Sequence, residues 1–264
     1  MNGKMQRVPH SVWGGKLDIY VTTSGSGPDV VYFPPTGLVA SDPFVEALAS
    51  RFTVHAVEFP GTSPEAPDAG TVLGTLWDLV LALEEVVLQL GLERPAAVGV
   101  SIGAMLAAEL GANFPRLFAS LILVGPLGLW REDEPLPNWQ AEPSHLPGLL
   151  FADPLSSAAS AAIDPQGKAD EVIALRAGQI WALGCIGRYI WPIPEKGLAG
   201  RLHRVAVPTL VIRGDEDSIV PRLHAEDMTR AIQGARLMSI PSARHLPSVE
   251  HAQAVLALMS SGNP

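Results

Sequence analysis

AAVGVSIGAMLAAEL, residues 96–110, runs from small and β-branched residues into an alanine-rich stretch through Gly99-Val100-Ser101-Ile102-Gly103. The first part reads as a buried strand and the second as a helix. A serine on such a strand-to-helix turn is pushed outward in a strained backbone conformation, where its hydroxyl can act as a nucleophile. The two glycines account for the spacing, because residues two before and two after the serine come close to neighbouring backbone and larger side chains there would clash. GxSxG alone also fits a glycine-softened strand end with a solvated serine, so the reading depends on what surrounds it.

Outward from this turn, short apolar runs recur at 29–33, 52–59, 120–124, 209–213 and 237–240, with helical patterns between most of them. Strands alternating with helices predict a mostly parallel sheet covered on both faces, an α/β fold. An earlier alternating run at 16–22, with 11–14 before it, predicts an antiparallel hairpin at the sheet edge and a total of about eight strands. Asp42-Pro43, Val220-Pro221 and Leu246-Pro247 place proline where a first helical turn accepts it. Residues 71–90 carry a broad apolar helical face, and Gly91 follows as a stop.

Between 126 and 198 the strand-like runs vanish, and Pro, Trp and helix-friendly alanines take over. This segment reads as an inserted helical cap, leaving 1–125 and 199–264 as the core. Four of the six tryptophans, Trp130, Trp139, Trp181 and Trp191, fall within it. Aromatic residues can fix a small helical layer to a sheet, but four together favour an apolar substrate pocket.

The composition narrows the function. A chain of 264 residues can bury a full core without metal or disulfide staples. Its net charge of -9 argues against a nucleic-acid partner, which calls for a basic face. The longest apolar run, 117–130, is too short to span a bilayer and is broken by Ser120, Gly125, Pro126 and Gly128. No stretch near the start has the apolar length of a signal peptide, and the single Cys185 allows no intrachain disulfide. A cytoplasmic protein without a membrane partner is expected. Phosphate loops, dinucleotide fingerprints and metal-ligand motifs are missing, so no cofactor and no metal are expected; Glu132-Asp133-Glu134 reads as a solvated loop.

A serine hydroxyl near neutral pH needs a neutral imidazole within hydrogen-bonding reach, and a carboxylate behind the imidazole to orient it. Two late segments can supply these groups. Arg213-Gly214-Asp215-Glu216-Asp217-Ser218-Ile219-Val220-Pro221 follows one apolar run, and Ser242-Ala243-Arg244-His245-Leu246-Pro247 follows the next. Both leave the C-terminal ends of strands, where sites form in parallel sheets. Asp215 and Asp217 compete as the acid. Asp215 has the ordinary reading of a turn residue, and Asp217 is favoured because it lies deeper in the loop. Of the other histidines, His251 falls in the last helix, His203 and His224 read as surface residues near helices, and His10 and His145 read as loop residues.

The chain resembles the alpha/beta-hydrolase superfamily, in particular its capped members, in the GxSxG turn, in a GDxDxxxP loop at Gly214 to Pro221 and in an HxPxxE segment at His245 to Glu250. That resemblance implies Ser101 as nucleophile, Asp217 as orienting acid and His245 as general base. The backbone N–H of Ile102 is expected as one oxyanion donor, at the start of a helix. Members commonly carry His-Gly after the third strand, whereas this chain has Phe33-Pro34-Pro35-Thr36-Gly37. The prolines have no N–H, which leaves Thr36 or Gly37 as second donor, with Thr36 preferred. A second departure puts Thr62 where members often have histidine. Members that open epoxides or displace halide use aspartate at the turn, and the serine here sets those reactions aside.

Together these residues predict a cofactor-independent serine hydrolase that cleaves a carboxylic ester, or a related activated carbonyl, of a small to medium apolar substrate through an acyl-enzyme. Two alternatives use the same fold: a carbon-carbon bond hydrolase of the meta-cleavage-product type, and a ligand-binding protein whose triad is unused.

Overall fold

A computed structural model describes residues 5–40, 42–136, 145–163 and 167–261. Among them, eight strands form one sheet: β1 (Gln6–Val12), β2 (Leu17–Gly25), β3 (Asp29–Phe33), β4 (Thr53–Val57), β5 (Ala96–Val100), β6 (Ser120–Val124), β7 (Thr209–Gly214) and β8 (Arg236–Ile240). Their spatial order is β1-β2-β4-β3-β5-β6-β7-β8. The pairs β1–β2 and β2–β4 are antiparallel, and every other pair is parallel. This is the alpha/beta-hydrolase architecture, with helices on both faces and further helices inserted after β6.

Strand alternation divides the core into two layers. Val31, Phe33, Ala97, Leu121, Leu123 and Val211 point to one face, where they meet buried residues of α2 (Leu76–Gln89), α3 (Ile102–Asn113) and α7 (Arg222–Ala231). Val30, Tyr32, Val98, Val100, Ile122, Val124, Leu210 and Ile212 point to the other, against α1 (Pro43–Ala49), α8 (Pro247–Glu250) and α9 (Ala252–Ser261). α3 is buried from Ile102 to Ala112, and Glu109, the one charged side chain in that span, is paired with Arg201. Between β6 and β7 lie α4 (Leu146–Leu150), α5 (Ser157–Ile163) and α6 (Ala169–Ile190).

The chain reverses its direction of travel across the sheet at β3, which lies between β4 and β5. Phe33 pairs with Gly99, so the loop after β3 and the turn after β5 leave the same edge side by side. Ligands of open α/β sheets bind at such a switch point.

Several boundaries differ from the sequence reading. The hairpin is longer, since β1 starts at Gln6 and includes His10; its residues are mostly exposed and carry little apolar signal. The run at 52–59 forms a strand only over Thr53–Val57, after which Phe59 turns away and donates its N–H to Gly37 O at 3.3 Å. The helix predicted from 71 begins at Leu76, because the Thr75 hydroxyl caps the Asp78 N–H while the Asp78 carboxylate accepts from Thr75 N–H. Pro221 stands just before α7 rather than inside its first turn. His251 sits at the break between α8 and α9. His224 is buried rather than on the surface: it lies on the inner side of α7, its Nε2 2.8 Å from Glu134 O in the loop laid over that helix.

Asp42 caps α1 by accepting from Phe44 N–H, and it accepts the Tyr32 hydroxyl at 2.5 Å. Tyr32 is buried and Asp42 half-buried, and desolvation there pushes the Asp42 carboxyl up to about 6 against the opposing hydrogen bonds of Tyr32 and Phe44. A native pKa above the unfolded value favours the folded state most when the group is protonated. The contribution is therefore full below pH about 4 and lost as pH rises through about 6, a span of about 3 kcal/mol at most. Asp42→Asn keeps the capping oxygen, and urea denaturation of this variant is expected to show a flatter stability profile between pH about 4 and 7 than the wild type.

Candidate active site

At the end of β5, Ser101 adopts φ 55° and ψ -114°, a conformation costing about 1–3 kcal/mol in a residue with a Cβ. Four hydrogen bonds hold it there. Ser101 N–H donates to Val124 O at 2.8 Å, and Ser101 O faces the N–H groups of Ala104, Met105 and Leu127 at 3.1, 3.2 and 3.3 Å. A Cβ on Gly99 would come within 2.5 Å of Gly103 O, and one on Gly103 within 2.0 Å of Phe33 O. Backbone crowding at the turn requires both glycines.

The Ser101 hydroxyl lies 2.8 Å from His245 Nε2, and His245 Nδ1 lies 3.0 and 3.2 Å from the Asp217 carboxylate oxygens. All three side chains are buried. Burial alone pushes the Asp217 carboxyl up, but the charge and hydrogen bond of His245 and the N–H groups of Val220 and Ile219 hold it below the ordinary carboxylate value. Oδ1 accepts both of those amides at 2.9 Å, so the carboxylate is fixed before it meets the ring. Asp215, the competing acid, is exposed; its N–H donates to Ile240 O, and its carboxylate lies 3.9 Å from Arg213.

The three residues come from different strands. Ser101 follows β5, Asp217 follows β7 and His245 follows β8, so the imidazole must cross three strand spacings, about 14 Å, to reach the serine. The chain crosses over glycines. A Cβ on Gly214, at the end of β7, would lie 2.2 Å from both Ala243 O and Arg244 O, and one on Gly125, beyond β6, would lie 3.0 Å from His245 O and 3.3 Å from ring Cε1. Glu216 N–H donates to Ala243 O at 2.9 Å, which ties the acid and histidine loops together. The sequence reading did not single out these roles of Gly125 and Gly214, because they depend on contacts distant in sequence.

Ile102 is the first residue of α3, where a backbone N–H has no acceptor within the helix. Thr36, half-buried, lies in the bend after Pro34-Pro35, and this loop rests on the serine turn through Phe33 O and Pro34 O beside Gly103. Thr62 Oγ1 lies 2.9 Å from Gly37 O and 2.8 Å from Phe59 O, so the threonine secures the same loop.

The described tryptophans of the inserted region, Trp130, Trp181 and Trp191, have different neighbours. Trp130 is half-buried, with Nε1 3.3 Å from Glu132. Trp181 is about half exposed and donates to Gly61 O at 2.8 Å. Trp191 is exposed and lines a cleft of about 430 Å³ with Trp77, Arg188, Tyr189, Lys196 and Arg201, whose walls include none of Ser101, Asp217 or His245. Trp139 lies outside the described residues.

The sequence profile described as "Alpha/beta hydrolase family" matches residues 24–258. A pimeloyl-[acyl-carrier protein] methyl ester esterase of Chromobacterium violaceum is 29% identical over 256 residues, covering 90% of this chain and 94% of its own. Among solved structures, a meta-cleavage product hydrolase (CumD) superposes with TM-score 0.74 at 18% identity, covering 97% of each chain. The carboxylesterase CesB of Bacillus subtilis superposes with TM-score 0.68 at 20% identity, covering 98% of this chain and 91% of its own. At these identities the two superpositions establish the shared fold.

Glycine substitutions separate crowded positions from open ones. Gly214→Ala drives a Cβ into two backbone carbonyls and is expected to lower stability by about 1–3 kcal/mol. Gly178→Ala, inside α6 with nothing within 4 Å, is expected to raise it by up to about 1 kcal/mol. Thermal melting of both variants checks the contrast.

Proposed function

The chain belongs to the alpha/beta hydrolase family, and on that premise we propose that it hydrolyses a carboxylic ester of a small to medium apolar substrate, with Ser101 as nucleophile. Ser101 Oγ attacks the carbonyl carbon and passes its proton to His245 Nε2. Asp217 holds Nδ1–H and stabilises the imidazolium. The N–H groups of Ile102 and Thr36 receive the oxyanion. The alcohol leaves with the proton from Nε2, giving an acyl-enzyme; a water then gives its proton to Nε2 and attacks the acyl carbon, which frees the acid and restores Ser101.

One observation carries this reading: the unbroken line from Ser101 Oγ through His245 to the Asp217 carboxylate, with contacts of 2.8 and 3.0 Å in a buried setting. The methyl ester esterases among its relatives support an ester as the bond cleaved. We assign 126–198 as a cap over this edge and 1–125 with 199–264 as the core. Support comes from α6, which reaches the loop after β4 through Trp181 to Gly61 O and through Tyr189 and Arg188 to Gly70 O. Among the described residues no helix is long and apolar enough to cross a membrane. We place the protein in the cytoplasm, since its one cysteine suits a reducing compartment.

A fluorophosphonate is expected to add to wild-type Ser101 and not to Ser101→Ala, as read by intact mass; an unlabelled wild type overturns the hydrolase reading in favour of ligand binding. A carbon-carbon hydrolase predicts weak turnover of every ester in a panel and fast turnover of a vinylogous diketone. Asp217→Asn is expected to lower kcat by about 10⁴-fold with the fold retained, whereas Asp215→Asn is expected to have a much smaller effect.

A further inference from the structure

The HxPxxE segment contains a carboxylate that the mechanism above does not use. Glu250, at the end of α8, directs both oxygens at the inserted region: Oε2 accepts Ala152 N–H and Oε1 accepts Asp153 N–H, each at 2.9 Å. Two consecutive amides bound by one carboxylate give a pair of charge-assisted hydrogen bonds with little freedom to slide. The same short stretch is held at two further points, one on each side of the histidine. Leu246 N–H donates to Leu150 O at 3.0 Å, and Arg244 Nη1 donates to Gly148 O. Phe151, fully buried, packs in the cluster that contains Ala243, Leu246 and Val249.

Residues 148–153 therefore form a strap bonded to residues 244, 246 and 250, which bracket His245. The need for such a strap follows from the path of the histidine loop. After leaving β8 the chain crosses β7 and β6 without pairing into the sheet, and its inner side is fixed by the acid loop through Glu216 N–H to Ala243 O. Its outer side is fixed by the strap. Glu250 is the acidic member of that clamp, and it stands on a helix started by Pro247, two residues beyond the imidazole.

We propose that Glu250 is a positioning residue, which by binding the Ala152 and Asp153 amides holds the inserted strap against the histidine loop and so keeps His245 Nε2 aligned with Ser101. The proposal rests on the assignment of Ser101 and His245 as nucleophile and base. It also divides the inserted region by role, with 148–153 bound to the base and α6 bound to the loop after β4.

The test is the rate of fluorophosphonate labelling of Ser101 in wild type, Glu250→Gln and Glu250→Ala, resolved into the maximal rate and the half-saturating concentration, with thermal melts alongside. Glutamine keeps the volume and one good acceptor, but it turns an NH2 toward the second amide. The maximal rate is expected to fall about 10-fold in Glu250→Gln and about 100-fold in Glu250→Ala, with the half-saturating concentration unchanged. A purely structural role lowers the melting temperature and leaves the maximal rate of the folded protein at the wild-type value; that result overturns the proposal. A change confined to the half-saturating concentration also overturns it, by assigning Glu250 to ligand binding. Should Glu250→Ala fail to fold, Glu250→Gln decides. A wild type that takes no label overturns the hydrolase reading itself, and the proposal with it, before any variant is compared.

Discussion

The site rests on a steric constraint: an imidazole borne by the loop after β8 has to meet a hydroxyl after β5, with two strands in between. A chain crossing the ends of β7 and β6 must lie almost on their backbone, and Gly214 and Gly125 give it the room. The crossing loop is then fixed by hydrogen bonds, because a loop outside a sheet ladder has none of the sheet's own. The acid loop below it supplies one set and the 148–153 strap supplies another.

The same economy of space governs the serine. Its unfavourable backbone angles persist because bonds to Val124, Ala104, Met105 and Leu127 over-determine them, and because Gly99 and Gly103 let β5, α3 and the loop after β3 close on one another. That closeness brings Phe33 and Pro34 against Gly103 at the start of α3. Prolines at 34 and 35 remove two amides from the loop, while Thr62 secures the carbonyl of Gly37 beneath it. The segment after the third strand is thus restricted by its two prolines and held from a neighbouring loop.

Burial shapes the electrostatics of the arrangement. Asp217 is enclosed, and yet its carboxyl is held below the ordinary value, because two amides and the imidazole more than offset the cost of desolvation. An anion kept inside in this way is the partner that an imidazolium formed during proton transfer would need. Asp215, two residues earlier, is open to solvent and paired only loosely with Arg213, so its charge is screened from the ring.

Much of this was legible in the chain itself. The alternation of apolar runs and helical patterns is a local property, and it indicated the parallel sheet, the edge hairpin and the inserted helices. The serine turn, GDxDxxxP and HxPxxE were readable because each packs its chemistry into fewer than ten residues. Local signals were weaker where exposure erased the pattern, as in β1, or where a cap overrode helical periodicity, as at Thr75. They misplaced His224, because a loop ninety residues away covers it. They grouped the tryptophans by proximity in the chain, while the fold sends Trp191 to a separate cleft. The amino-acid order by itself determined which chemistry is available and in which segments it lies. Tertiary structure alone decided which glycines clear the path of the ring and what Glu250 holds, because those depend on distances between groups far apart along the chain.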